Sequence, residues 1–184
     1  MTGSRDRRRQ VGAPVPGQVG PVVSSAHLAN SAMPELSEME FALTMAGNAF
    51  HRWKTRCMAA AGAEGMAPLE VQVLHSVHHR ARPKTLADLC LMLNIEDTHT
   101  VNYAIRKLAE RGLVETGRKG KEKTVTITAA GADLCTRYGE VREALLIRAA
   151  RAQGLDPAEV SRLAALLRAI SGSYDQAARS AASL

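Results

Sequence analysis

The sequence has few aromatic side chains, no patterned cysteines and no long hydrophobic run. Aromatic residues make up only 3% of its 184 residues, whereas 31 are alanine. Such a composition favours helices over sheets and excludes an all-β sandwich or barrel. No stretch approaches the ~18 apolar residues of a membrane span, and the basic first ten residues are not followed by the apolar run of a signal peptide. We therefore expect a soluble, cytoplasmic protein.

The cysteines are three in number, Cys57, Cys90 and Cys135, and none forms a Cys-x-x-Cys pair. An odd, unpaired set excludes a disulfide framework and a zinc ribbon. Each cysteine lies on or beside an apolar stripe, which predicts three buried thiols. Redox sensing stays open as an alternative. It would require one of these cysteines to be an exposed thiolate of low pKa.

Recognisable catalytic motifs are absent too. The sequence has no glycine-rich phosphate loop, no His-Glu-x-x-His and no nucleophile elbow, so we predict neither an enzyme nor a bound cofactor. His75, His78 and His79 share one helical face and could in principle bind a metal. No carboxylate or cysteine nearby in the sequence completes such a site. We predict no metal site and interpret these histidines as a polar helix face or as the lining of a ligand pocket.

The net charge is +6, from 24 Lys and Arg against 18 Asp and Glu. Half of this excess, three charges, lies in residues 1–10, within a Pro- and Gly-rich segment, 1–34, that shows no apolar period. We predict that 1–34 is a disordered basic tail and that 35–184 is one domain.

Two long helices with apolar stripes are predicted to bracket this domain. The first covers about 35–61. The later segment, about 130–180, holds one helix to about Ala152 and another that begins at Asp156. Gaps of three and four residues between apolar positions are typical of helices that pack lengthwise against other helices. The stripe residues in question are Leu36, Met39, Leu43, Phe50, Val160, Leu163, Leu167, Ile170 and Tyr174.

Between the long helices, residues 68–128 show the order of a winged helix-turn-helix. Three short helices are predicted, the last from Asp97 to about Arg111, followed by two short strands around a basic turn at 117–123. The predicted fold is therefore mostly α (α+β), with a two-stranded β-wing. In this arrangement the last helix enters the DNA major groove and the wing reaches the backbone or the minor groove.

The helix at 97–111 has one apolar face and one face of hydrogen-bonding groups. Asn can pair bidentately with adenine and Arg with guanine, while hydroxyls at a helix start suit phosphate oxygens. The predicted DNA-binding residues are Thr98, His99, Thr100, Asn102, Tyr103, Arg106, Lys107, Arg118, Lys119, Lys121 and Lys123.

Three segments resemble the MarR family of bacterial regulators: Thr85–Cys90, Thr100–Tyr103 and Arg106–Val114. Thr126–Gly131 is similar to the strand-into-helix segment after that family's wing. The resemblance implies a homodimeric transcription regulator, usually a repressor and in some cases responsive to a small-molecule effector. It further implies that the striped long helices interlock across a two-fold axis and that the partner is a pseudo-palindromic DNA operator.

The wing departs from that family's pattern. It lacks the Asp-x-Arg pair whose Arg enters the minor groove, and Lys121 is the nearest counterpart. Because lysine lacks the planar fork of arginine, phosphate contact is the expected role of this wing. The alternative function is a winged-helix module for protein–protein assembly that binds no specific DNA.

Overall fold

A computed structural model describes residues 20–184 of the chain. Most of the predicted disordered tail, including its arginine cluster, therefore lies outside the described residues. Within the rest of 1–34, Ala26–Ala29 form a short helix, α1, which the sequence pattern does not predict.

The chain divides into two compact units, Met1–His51 and Arg52–Leu184. In the first unit, the Ser37 hydroxyl donates a hydrogen bond to the Leu28 carbonyl at 3.1 Å. This bond ties the end of α1 to the first turns of the next helix, α2, which runs from Pro34 to Ala60.

The long first helix is confirmed, since α2 matches the predicted span to within a residue or two. Its last turns belong to the second unit, where Cys57 and Met58 are buried. Within the first unit the stripe stays more open, and Leu43 and Phe50 are exposed.

The predicted order of three short helices is confirmed by α3 (Pro68–His78), α4 (Leu86–Leu93) and α5 (Thr98–Glu110). Thr85 caps α4. Its hydroxyl accepts a hydrogen bond from the Asp88 amide at 3.1 Å, and the Asp88 carboxylate accepts one from the Thr85 amide at 2.9 Å. Both α4 and α5 pack against α3.

The hairpin has longer strands and a shorter turn than predicted. Strands β2 (Val114–Lys119) and β3 (Glu122–Ile127) pair antiparallel. The prediction of a turn spanning 117–123 is therefore wrong. Only Gly120, with a φ of 62°, and Lys121 connect the strands, because backbone pairing extends past the residues that show apolar alternation.

A further strand joins the hairpin to the helices. Lys84–Thr85, now β1 in chain order, pairs antiparallel with β3, so the sheet has the order β1-β3-β2. The predicted two-stranded wing is thus part of a three-stranded sheet. A two-residue strand is too short for its alternation of apolar and polar residues to be recognised in a sequence.

The helix predicted from Ala130 to Ala152 forms with a change of geometry midway. It consists of α6 (Ala129–Arg142), a π-helical stretch (Glu143–Ile147) and α7 (Arg148–Ala152). The π-helical stretch shifts the helical register, and Leu145 within it is 60% exposed, whereas Leu134 and Tyr138 of α6 are buried.

The last helix, α8, extends from Pro157 to Ala181 and begins at the predicted cap. The Asp156 carboxylate accepts hydrogen bonds from the amides of Ala158 and Glu159 at 3.3 and 3.2 Å. No residue of α8 is buried. Among residues 20–184, no helix combines the length and the apolar character that crossing a bilayer demands.

One hydrophobic core holds the second unit together. It combines the last turns of α2 with α3, α4, α5, the sheet and α6. Its most deeply buried large side chains are Met58, Val71, Val73, Leu74, Val77, Leu89, Val101, Ile105, Leu108, Val125 and Leu134.

Gly131, in the first turn of α6, lies where a side chain does not fit. A Cβ there would overlap the Leu113 carbonyl oxygen and lie 2.7 Å from Cδ1 of Ile127. We expect Gly131→Ala to lower the free energy of unfolding by about 3 kcal/mol, because overpacking against backbone is difficult to relieve. Guanidinium unfolding followed by circular dichroism measures this.

Gly139 provides a matched control on the same helix, because a Cβ there meets nothing within 4 Å. Gly139→Ala should raise stability by about 0.5–1 kcal/mol through helix propensity. Equal effects of the two substitutions would contradict the close approach of α6 to Leu113.

Candidate nucleic-acid interface

The helix α5 presents two chemically distinct faces. Its buried face consists of Val101, Ala104, Ile105 and Leu108, all of which lie in the core as predicted. The opposite face carries the exposed side chains of His99, Asn102, Tyr103 and Arg106, and Lys107 is half-buried beside them. Burial of four apolar side chains on one face fixes which side chains point to solvent.

Asp97 caps the amino end of α5. Its carboxylate accepts hydrogen bonds from the His99 amide at 2.9 Å and from the Thr100 hydroxyl. These bonds, that of Thr100 first, lower the pKa of the Asp97 carboxyl group. The Thr100 hydroxyl, predicted to serve phosphate, is thus donated to Asp97, whereas Thr98 is exposed at the first position of the helix.

A cluster of ionic and aromatic contacts organises the exposed face. The Arg106 guanidinium carbon and the Lys107 Nζ lie 5.0 and 5.7 Å from the centre of the Tyr103 ring. Glu110 completes the cluster at 2.8 Å from Lys107 Nζ and 4.0 Å from Arg106 Nε. Its hydrogen bond raises the pKa of Lys107, and the same bond lowers the pKa of Glu110.

Sequence reasoning missed the role of Glu110. Its spacing of three and four residues from the two cations is the available signal, since such residues are neighbours on a helix. A carboxylate so placed competes with phosphate for both cations. Together with the Tyr103 ring, it holds Arg106 and Lys107 over the middle of the exposed face.

The wing cations lie on both strands rather than at the tip. Arg118 is the cross-strand partner of Lys123, and Lys119 is the partner of Glu122. Side chains alternate between the faces of a strand, so these two pairs project to opposite faces of the hairpin. Of the four predicted wing residues, only Lys121 lies in the turn, and all four are exposed.

A basic segment before β1 is another feature that sequence reasoning missed. Arg80 and Arg82 are exposed, and Arg82 and Lys119 line one groove of about 640 Å³ between this segment and the wing. Lys84, only 2% exposed, donates a hydrogen bond from Nζ to the His79 carbonyl at 2.6 Å. Burial, and next the charge of Arg82, lower the pKa of Lys84. The sequence signal is Arg-x-Arg-Pro-Lys, in which three cations lie within five residues.

The histidines of α3 do not form a metal site with other residues. Within the described range 20–184, no group of three or more His, Cys, Asp or Glu side chains is arranged to hold a metal. His75 packs edge-on against Tyr138, with ring centres 4.5 Å apart. Its Nε2 and the Nδ1 of His78 are buried without a hydrogen-bond partner in this part of the chain.

All three cysteines are free and buried, as predicted. Burial raises the pKa of Cys135 to about 11 and also raises that of Cys57, whose Sγ donates to the Tyr138 carbonyl at 3.6 Å.

Comparison with known proteins identifies the fold that carries these side chains. Residues 66–131 match the family described as the winged helix DNA-binding domain. No curated protein matches the chain. Among solved structures, a MarR-family transcriptional regulator from Rhodococcus sp. RHA1 matches with a TM-score of 0.61 and 17% identity, over 77% of this chain and 95% of that chain. The chain has the fold of MarR-family regulators.

Two further structures with this fold carry bound partners. CouR from Rhodococcus jostii RHA1, bound to p-coumaroyl-CoA, matches with a TM-score of 0.62 and 18% identity, over 79% of this chain and 95% of that one. A cysteine-to-serine variant of MarR from E. coli, complexed with operator DNA, matches with a TM-score of 0.61 and 19% identity, over 77% of this chain and 99% of that one. The predicted resemblance to the MarR family is confirmed at the level of the fold.

Because all three thiols are buried, and the pKa values of Cys57 and Cys135 are raised, the protein should react slowly with thiol reagents. We expect fewer than one of the three cysteines to react with Ellman's reagent at pH 8 in the native state. All three should react after guanidinium unfolding. If one cysteine per chain reacted completely as soon as the native protein and the reagent were mixed, that thiol would be accessible and redox sensing would be favoured.

His75 should make stability depend on pH. Burial, and next the nearby charge of His78, lower its pKa below 6.5 in the folded state. As the pH falls through 6.5, His75 becomes protonated in the unfolded chain but stays neutral in the folded protein. The free energy of unfolding therefore decreases, by at most about 1.4 kcal/mol per pH unit. Above pH 7 both states are neutral and the effect is absent.

The variant His75→Phe keeps the ring contact with Tyr138 but cannot titrate. Urea unfolding between pH 8 and 5 should show a smaller loss of stability for this variant than for the unchanged protein. Parallel curves for the two proteins would show that His75 titrates alike in the folded and unfolded chains.

Proposed function

We propose that the protein is a sequence-specific, double-stranded DNA-binding transcription regulator. One observation carries the proposal. The buried face of α5 aims Asn102 and Arg106 outward together, on a helix within the segment that matches the winged helix DNA-binding domain. Its fold is also that of a MarR variant solved in complex with operator DNA.

In this proposal α5 lies in the major groove. Asn102 and Arg106 read base edges as bidentate partners of adenine and guanine. Thr98, His99 and Thr100 lie near the amino end of the helix, where the exposed Thr98 contacts a phosphate oxygen, while the His99 amide and the Thr100 hydroxyl are donated to Asp97. Tyr103 and Glu110 keep Arg106 in place, and phosphate takes over the contact of Lys107 with Glu110.

The wing contacts the phosphate backbone. Arg118 and Lys123 share one face of the hairpin, where their mutual repulsion is relieved when a phosphate lies between them. Lys119 and Lys121 extend the basic surface, and Arg82 continues it across the groove. Such contacts set position and affinity but carry no sequence information.

We propose further that the protein acts as a homodimer. The helix α8 buries no residue in the single chain, and Val160 and Leu163 are about half exposed on it. Leu167, Ile170 and Tyr174 are half-buried along the same helix, as are Leu36 and Met39 on α2, whereas Leu43 and Phe50 are exposed. A second copy of the chain would cover these apolar residues.

Two copies would place two recognition helices about one helical turn (~34 Å) apart on a pseudo-palindromic operator in the cytoplasm. Occupying an operator in this way would repress transcription. An effector would act by favouring a different separation of the two recognition helices, because a ligand shifts an equilibrium only through differential affinity.

The proposed base contacts of Asn102 and Arg106 are tested by replacing both residues. A random duplex pool, enriched by binding across a salt series, should first yield a palindromic site with steep salt dependence. The double variant Asn102→Ala/Arg106→Ala should bind this site about 100-fold more weakly or worse, because each bidentate pair contributes about 1–3 kcal/mol. Fluorescence anisotropy measures the affinities, and sedimentation should show an unchanged dimer.

Arg151→Ala in α7 is a control that removes one exposed charge outside the winged helix. It should leave operator affinity within a few-fold of the unchanged protein. Unaltered specific binding by the double variant would show that α5 is not the reader. Failure of the unchanged protein to bind duplex DNA even at low salt would favour the protein-assembly alternative.

A further inference from the structure

The loop that follows α2 is held by two arginines from distant parts of the chain. Arg111 donates from its two terminal nitrogens to the carbonyls of Glu64 and Gly65, at 3.0 and 3.2 Å. Arg137 donates from Nε to the Ala61 carbonyl at 2.8 Å. We call these two arginines and the three carbonyls the arginine clasp.

We propose that the arginine clasp fixes the angle between α5 and the end of α2, and that this angle selects the spacing between operator half-sites. The inference rests on the proposed function, and it adds Arg111 and Arg137 as positioning residues that touch no base.

The position of each arginine supports this role. Arg111 is the C-cap of α5, so its side chain moves with the carboxyl end of the recognition helix. Arg137 lies in the middle of α6 and is oriented by an ion pair with Asp133, one turn earlier. The loop is therefore bound at once by the recognition helix and by the helix that follows the wing.

The chemistry of the clasp favours a stiff joint. The Ala61 carbonyl lies directly after α2, at the negative end of the helix dipole, which the Arg137 guanidinium matches in charge and in donors. Arg111 binds two successive carbonyls with its planar fork, which restrains rotation as well as distance. Ala61 and Met66, at the ends of the loop, are buried, so the carbonyls are attached to the core.

Half-site spacing is the property that this joint would control. Adding one base pair between half-sites shifts the second site by about 3.4 Å along DNA and rotates it by about 35°, given 10–10.5 base pairs per turn of 34–36 Å. A dimer with stiffly held recognition helices tolerates little of this change. A dimer in which the arginine clasp is weakened binds operators with one base pair more or fewer between the half-sites at a smaller loss of affinity.

The test uses the full-length protein and the operator selected from the random pool. Duplexes carry its two half-sites separated by the selected spacer or by one base pair more or fewer. We expect Arg111→Gln to reduce the preference for the selected spacer about tenfold, while the preferred half-site sequence stays the same. Arg111→Lys should lie in between, because an ammonium group cannot bind both carbonyls in one plane.

Arg179→Gln is the matched control, since that guanidinium donates to Gln176 on its own helix, α8. Its spacing preference should equal that of the unchanged protein. Circular dichroism and sedimentation establish that each variant is a folded dimer, and Arg137→Lys supplies a second variant should Arg111→Gln not fold.

Two outcomes separate the failure of this inference from failure of the proposed function. Folded clasp variants that keep the full spacing preference would show that the clasp only stabilises the fold. If the unchanged protein enriches no paired half-sites, the proposed function fails, and the inference fails with it.

Discussion

The structure depends on the burial of one face of α5. Val101, Ala104, Ile105 and Leu108 lock this helix into the core against α3 and α4. Burial of three large aliphatic side chains stabilises the arrangement by about 1.5–3 kcal/mol each. Because a helix that is fixed on one face cannot rotate, the same contacts determine the orientation of Asn102 and Arg106. The stability of the fold and the geometry of the interface thus share one cause.

Charge is arranged around this fixed helix in two ways. Near α5, cations are held in internal contacts, as Lys107 is by Glu110 and as Arg111 is by the loop after α2. On the wing, Arg118 and Lys123 stand opposite each other across the strands. Like charges at such positions destabilise a hairpin, and in the proposed function a DNA phosphate between them relieves this repulsion.

Local signals explain why so much of the fold was predictable. The apolar periods of α2 and α5 and the helix starts at Asp97 and Asp156 are properties of neighbouring residues, and each was confirmed. The features that were missed depend on distant partners. β1 exists only because β3 lies beside it, and the buried Lys84 donates its hydrogen bond to the His79 carbonyl, outside the strand.

The sequence by itself determined the long helices, the three short helices between them, their order and the chemistry of the exposed face of α5, since periodicity and capping act over only a few residues. Tertiary structure alone decided the extent of the wing strands and the π-helical stretch that turns Leu145 towards solvent. It also decided the meeting of Arg111 and Arg137 on one loop, 46 to 76 residues away in sequence. Such contacts arise when the packed core brings remote segments together, and no short-range pattern encodes them.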